Sequence, residues 1–168
     1  MPGKHQQPIS GQSKRVWMMF PEYHTAVASA LDYELKHDII KVNYHIQNTK
    51  LTTNFWNTNM VGRFCCPSNA CNQNGWSSKT IAAVIRRYAD DSYNVIDYRQ
   101  RCRSCGTLGD MIVDEDVYVE RVVRRLKIWH GVEVDKVDMN IKKGPPHIER
   151  LCEGCKAGHC VKARRDRD

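Results

Sequence analysis

This sequence predicts a small α+β domain, with a β-hairpin and flanking helices held together at its cysteines. Three observations predict it. Eight cysteines fall in tight groups along 168 residues. Two runs rich in β-branched and apolar residues, 79–88 and 92–102, are joined by a short polar turn. Two further stretches carry apolar residues at helical spacing. A chain of this length is one domain with little surplus core, so its cysteines need a structural reason.

The elements follow in chain order. Residues 1–15, rich in Gln, Ser, Gly and Lys, read as a disordered leader. Pro21 suits a first helical position, and Tyr23, Val27, Ala30 and Leu31 then fall on one face of a short amphipathic helix. Residues 38–60 mix β-branched residues with Asn and Thr and read as irregular, with a strand at 39–46. The hairpin comes next, over 79–102. In the stretch 114–131 acids come first, bases later and Gly131 after the end, while Val119, Val122, Val123, Leu126 and Trp129 line one helical face. Residues 161–168 form a charged tail.

The first fifteen residues are polar and basic, not the apolar leader of a secreted chain, and no apolar run approaches the roughly 20 residues that span a bilayer. The expectation is a soluble intracellular protein, cytoplasmic or nuclear, with no membrane span. In that compartment thiols stay reduced and are available to metal instead of forming disulfides. A net charge of +7 is compatible with nucleic acid or with an acidic membrane or protein surface, and selects none of them.

The cysteine spacing points to zinc. Cys102-Arg103-Ser104-Cys105 is a turn that lets two thiolates converge on one ion, with Gly106 relieving backbone crowding behind it. Cys66 and Cys71 can complete that site across the hairpin, the logic of a zinc ribbon. Cys152, Cys155 and Cys160, with His147 five residues ahead, make a second set of four. His159 and His130 are the alternatives to His147, which is favoured because Gly144-Pro145-Pro146 can turn the chain toward the cysteines. Two zinc ions are therefore expected and one cysteine is left over. A cross-braced pairing satisfies the same count.

The motifs Gly62-Arg63-Phe64, Trp76-Ser77-Ser78, Gln100-Arg101-Cys102 and the closing cysteine group resemble the 3CxxC-type zinc-finger domain. That family includes the receptor-transporting proteins, the zygote arrest proteins and many fungal members, which the N-terminal helix most resembles. The likeness covers roughly 55–160 and leaves 16–54 as an N-terminal helix with its connecting segment. It implies that Cys66 holds the ligand position and Cys65 the variable one. The first knuckle has four intervening residues where the family has two.

The expected zinc is structural. Four protein ligands per site, mostly thiolate, leave no position for water, and no nucleotide-binding glycine motif or nucleophile elbow is present. A non-enzymatic binding module with no small-molecule substrate is expected. Arg86, Arg87, Tyr88, Tyr93, Tyr98, Arg99, Arg101 and Arg103 interleave basic and aromatic groups on the hairpin, a composition that can pair with phosphates and stack bases. The same pattern also fits tyrosines that pack the hairpin against the helix and arginines that are solvated, since strand aromatics usually belong to cores. The resemblance to zygote arrest proteins implies RNA as the partner. The resemblance to receptor-transporting proteins implies instead a protein-interaction adaptor or trafficking helper.

Overall fold

The structure, a computed structural model, describes residues 15–34, 42–49, 51–136 and 146–162. The leader 1–15 therefore lies almost wholly, and the charged tail largely, outside the described residues. Five strands form one antiparallel sheet: β1 (Trp17–Met18), β2 (Asn54–Cys65), β3 (Trp76–Arg87), β4 (Tyr93–Tyr98) and β5 (Asp110–Val113). Their spatial order is β1-β4-β3-β2-β5. Three helices accompany them: α1 (His24–Glu34), entered through a 3-10 turn at Pro21–Tyr23, α2 (Glu115–Trp129) and the single turn α3 (Glu153–Lys156).

The hairpin expected over 79–102 is β3 and β4, in register from Ala83↔Asp97 to Arg87↔Tyr93. Its turn closes through Asp91 at φ 63°, a left-handed conformation that Asp tolerates. Asp91 also accepts two hydrogen bonds from the Arg87 guanidinium. In α2, Asp114 caps the first turn by accepting from the Val117 N–H at 3.0 Å. Tyr118, Val122, Val123 and Leu126 are its buried stripe.

One segment departs from expectation. Residues 38–60 do not stay irregular: from Asn54 onward they belong to β2, a twelve-residue strand. The strand expected at 39–46 is not one where it is described, since Tyr44 makes only an isolated bridge to Tyr93 and 39–41 lie outside the described residues. β2 escapes detection because Asn54, Asn57 and Asn59 are poor strand formers; pairing with β3 along its length holds it. The readable trace was the alternation of buried Met60, Gly62 and Phe64.

Both faces of the sheet are covered along β3 and β4. On one, α1 and α2 pack Val27, Leu31, Tyr118, Val122 and Leu126 onto Met60, Phe64, Ile81, Ile85, Tyr93 and Val95. On the other, a smaller cluster joins Ala82, Val84, Ile96 and Tyr98 to Cys152 and Cys160. The cysteines of the C-terminal group thus sit against the sheet as part of its packing.

Candidate metal centres

The first site grows from the ends of two strands. β2 finishes at Cys65, and the loop after it carries Cys66 and Cys71. Beyond β4 the chain enters the turn Cys102–Cys105. That turn is a knuckle: the Gly106 N–H donates to Cys102 O at 2.8 Å, and the Cys102 N–H donates to Thr107 O at 2.8 Å. Gly106, at φ +73°, takes a conformation that side chains resist. The sulfurs of Cys66 and Cys105 lie 3.5 Å apart and those of Cys71 and Cys102 3.7 Å apart. Tetrahedral zinc with Zn–S bonds of about 2.3 Å places its sulfurs about 3.8 Å apart, so the spacing fits.

The second site sits on the outer face of the sheet, around α3. Cys152 precedes that turn, Cys155 lies in it, and Cys160 follows after the chain reverses, with the His159 N–H donating to Gly154 O at 2.9 Å. His147 Nε2 stands 3.1 Å from Cys155 Sγ and 3.5 Å from Cys160 Sγ. Zinc held by Nε2 would leave the ring proton on Nδ1, which lies 3.3 Å from Thr80 Oγ1, a contact that orients the ligand from β3. All four donor atoms in each site lie within 4.8 Å of one another.

The open alternatives close here. His159 is not a ligand: its Nδ1 is 2.9 Å from Asn57 Oδ1 and its ring stacks on Tyr98. His130 caps the C-terminus of α2. The sites are not cross-braced, because Cys66 and Cys71 join Cys102 and Cys105 while His147 joins the three later cysteines. Cys65 belongs to neither set and is exposed beside Asp110. Two four-ligand sets, one all cysteine and the other three cysteines with a histidine, fit two zinc ions.

The local fields differ. Hydrogen bonding with Thr107, through its hydroxyl at 3.2 Å and its backbone, holds the Cys105 thiol down at about 6. Burial pushes the Cys155 thiol up to about 12. Glu153, buried between two ligands, is no free base. Burial by itself would raise its carboxyl, but Lys156 and Arg101 hold it below the usual range, at 2.7 and 2.6 Å. Arg101 adjoins Cys102, so this ion pair links the two sites. Backbone bonds from Arg101 N to Leu151 O and from Glu153 N to Arg99 O reinforce the link.

The hairpin's basic and aromatic residues do not form one surface. Tyr88, Tyr93 and Tyr98 are buried, Tyr93 under α1 and Tyr98 under the second site. Arg99 is buried and donates to Gly109 O and Asp110. Arg87 is bound to Asp91 and to Trp129 O, and Arg86 to Asn48 and Thr49. Arg101 is engaged by Glu153, and Arg103 alone of the set is exposed. Along β3 and β4 both sides of the sheet are covered, which takes these rings out of solvent.

No helix among the described residues is long and apolar enough to cross a membrane. No curated protein and no solved structure matches the chain. The model of the 3CxxC zinc-ribbon family, a zinc-binding domain, matches residues 59–158, and the chain belongs to that family.

Proposed function

We propose, with membership of this zinc-binding family as the premise, that the protein is a non-enzymatic module that binds single-stranded RNA. Each metal set supplies four protein ligands, which leaves zinc no open position for water, and Glu153 is committed to Arg101 and Lys156. The metal's role in this reading is to fix surface loops rigidly enough to present side chains.

The observation that carries the RNA reading is Arg103, in the turn between the ligands Cys102 and Cys105. It is exposed and has no carboxylate partner among the described residues, in a chain of net charge +7. The resemblance to zygote arrest proteins supports the same partner. Stacking of bases on the hairpin tyrosines is not part of the mechanism, because those rings are buried. The reading is tested by a gel-shift titration of zinc-loaded protein with single-stranded RNA. Binding that weakens steeply with salt, and weakens further in Arg103→Ala, is expected. No shift at low salt rejects it.

A specific observation favours a second reading, that of a protein-interaction adaptor. Phe55 and Trp56, on opposite faces of β2, are 58% and 46% exposed. Arg125 lies over the Trp56 ring at 3.5 Å. A specific protein recovered after nuclease treatment, and lost in Phe55→Ser, supports the adaptor. Loss of all co-purifying protein on nuclease treatment rejects it.

A further inference from the structure

A cleft of about 330 Å³ opens where β2, β3 and β5 meet, away from the ligands of either metal site. Its floor is set by register. Arg63 pairs with Ser77 on one side and with Ile112 on the other, so these three side chains stand abreast on one face of the sheet. The next core-facing residues, Phe64 and Met111, point the opposite way into the helix-covered core. Between Met60 and Gly62 the register slips: three steps on β3 oppose two on β2. This bulge lies at Lys79, which joins the same cleft. Gly62 lets the strands close behind it, since a Cβ there would lie 2.2 Å from Ile112 O.

The chemistry of the cleft is that of an anion site with an apolar shoulder. Arg63 and Lys79 are both exposed, and neither has a hydrogen-bond or ion-pair partner among the described residues. Ser77 offers a hydroxyl between them. Ile112 is 60% exposed, an unusual position for an isoleucine beside two free cations. The one carboxylate lining the cleft, Asp114, is spoken for: its Oδ1 accepts from Val117 N and its charge sits on the positive end of α2. The volume is at the small end for ligand sites, suited to one unit of a polymer and not to a whole free ligand.

We propose that this cleft takes a backbone phosphate of single-stranded RNA. Arg63 and Lys79 pair with the phosphate, Ser77 donates to it, and Ile112 packs against the adjoining sugar or base. The inference rests on the RNA reading and gives it an address separate from Arg103.

The test is a fluorescence-anisotropy titration of the zinc-loaded full chain with labelled single-stranded RNA over a salt series. Arg63→Ala/Lys79→Ala should bind about tenfold or more weakly, and the log–log salt slope should be shallower by about 1.4, two contacts' worth for a single strand. Ile112→Ser should weaken binding severalfold and leave the slope unchanged, which separates its apolar contact from the charges. Two zinc ions per chain and an unaltered melting temperature certify the fold. If the double substitution loses either, Arg63→Gln and Lys79→Gln are read singly, each with a slope change of about 0.7.

Salt-dependent RNA binding by the wild type that the substitutions leave untouched overturns the cleft but keeps the RNA reading. No RNA binding by the wild type overturns both. Binding of a phosphoserine peptide that depends on Arg63 and Lys79, with no such dependence for RNA, assigns the cleft to a phosphoprotein and overturns the proposal.

Discussion

The two faces of the sheet are closed by different means. Under α1 and α2 lie large hydrocarbon and aromatic side chains, among them Tyr93, Tyr118, Phe64, Leu31 and Met60, all fully buried. Each such burial is worth about 1.5–3 kcal/mol. Among the described residues the opposite face buries the smaller set Ala82, Val84, Ile96 and Tyr98, with Trp17 and Met19 half-buried against them and cysteines in the place of further hydrocarbon. A single turn of helix and a few side chains cannot hold themselves there against chain entropy. Metal supplies what hydrocarbon does not. Structural zinc sites in small domains contribute on the order of 10 kcal/mol or more to folding, so one face is stable by area and the other by coordination.

Removing the metal from each site in turn gives the largest contrast. Cys152→Ser should lose one zinc and release α3 with the residues around it, so that a large part of the outer face unfolds while α1 and α2 keep their helicity. Cys66→Ser should also lose one zinc, but from a site at the sheet's end, with a much smaller fall in melting temperature. Metal analysis paired with circular dichroism reads both. Equal losses of stability would erase the difference between the faces.

Packing under the metal face is next. A Cβ on Gly154 would sit 2.2 Å from the Ala82 Cβ and 3.3 Å from that of Tyr98. Gly154→Ala should therefore cost about 1–3 kcal/mol by overpacking and weaken zinc at the second site without touching the first. Competition with a colorimetric chelator resolves the two ions. A substitution neutral at both sites would show that α3 is free to shift.

The helix-covered face has a flaw of its own. Asp97 is fully buried, and neither carboxylate oxygen has a hydrogen-bond partner among the described residues. Burial raises its carboxyl well above the ordinary value. A raised folded value means that Asp97's contribution is complete below the unfolded carboxyl range and is lost as pH climbs toward the folded value. Asp97→Asn should stabilise the protein at neutral pH and remove a slope of up to about 1.4 kcal/mol per pH unit. Melting temperatures of the two proteins, followed from the ordinary carboxyl range upward in pH, check it. A parallel slope in the variant would place the pH dependence elsewhere.

The smallest effect sharpens the ligand assignment. Cys65→Ser should leave two zinc ions and an unchanged melting temperature, since Cys65 is exposed and outside both sets. Loss of a zinc in this variant, with Cys66→Ser retaining two, would mean that the register at the end of β2 is displaced by one residue.

The hairpin, both longer helices and the cysteine ligands were legible because each rests on short-range pattern. Helical spacing, a turn between β-branched runs, and pairs of thiols a few residues apart all survive without knowledge of the partner element. Asn-rich β2 was not legible, because its strand state comes from β3 alongside it. The choice of His147 over His159 depended on Thr80 and Asn57, each more than sixty residues from the histidine it holds. Burial of the hairpin tyrosines was one of the two readings open in the sequence, but the partners that engage Arg86, Arg87, Arg99 and Arg101 were hidden. Alternation says which residues share a face, but not whether that face meets water, helix or metal. The chemistry of the zinc sites was thus determined by the sequence alone, through ligand type and count. The accessible surface, including the cleft at Arg63 and Lys79, was decided only by the tertiary structure, because strand register and coverage are set by contacts between residues far apart in the chain.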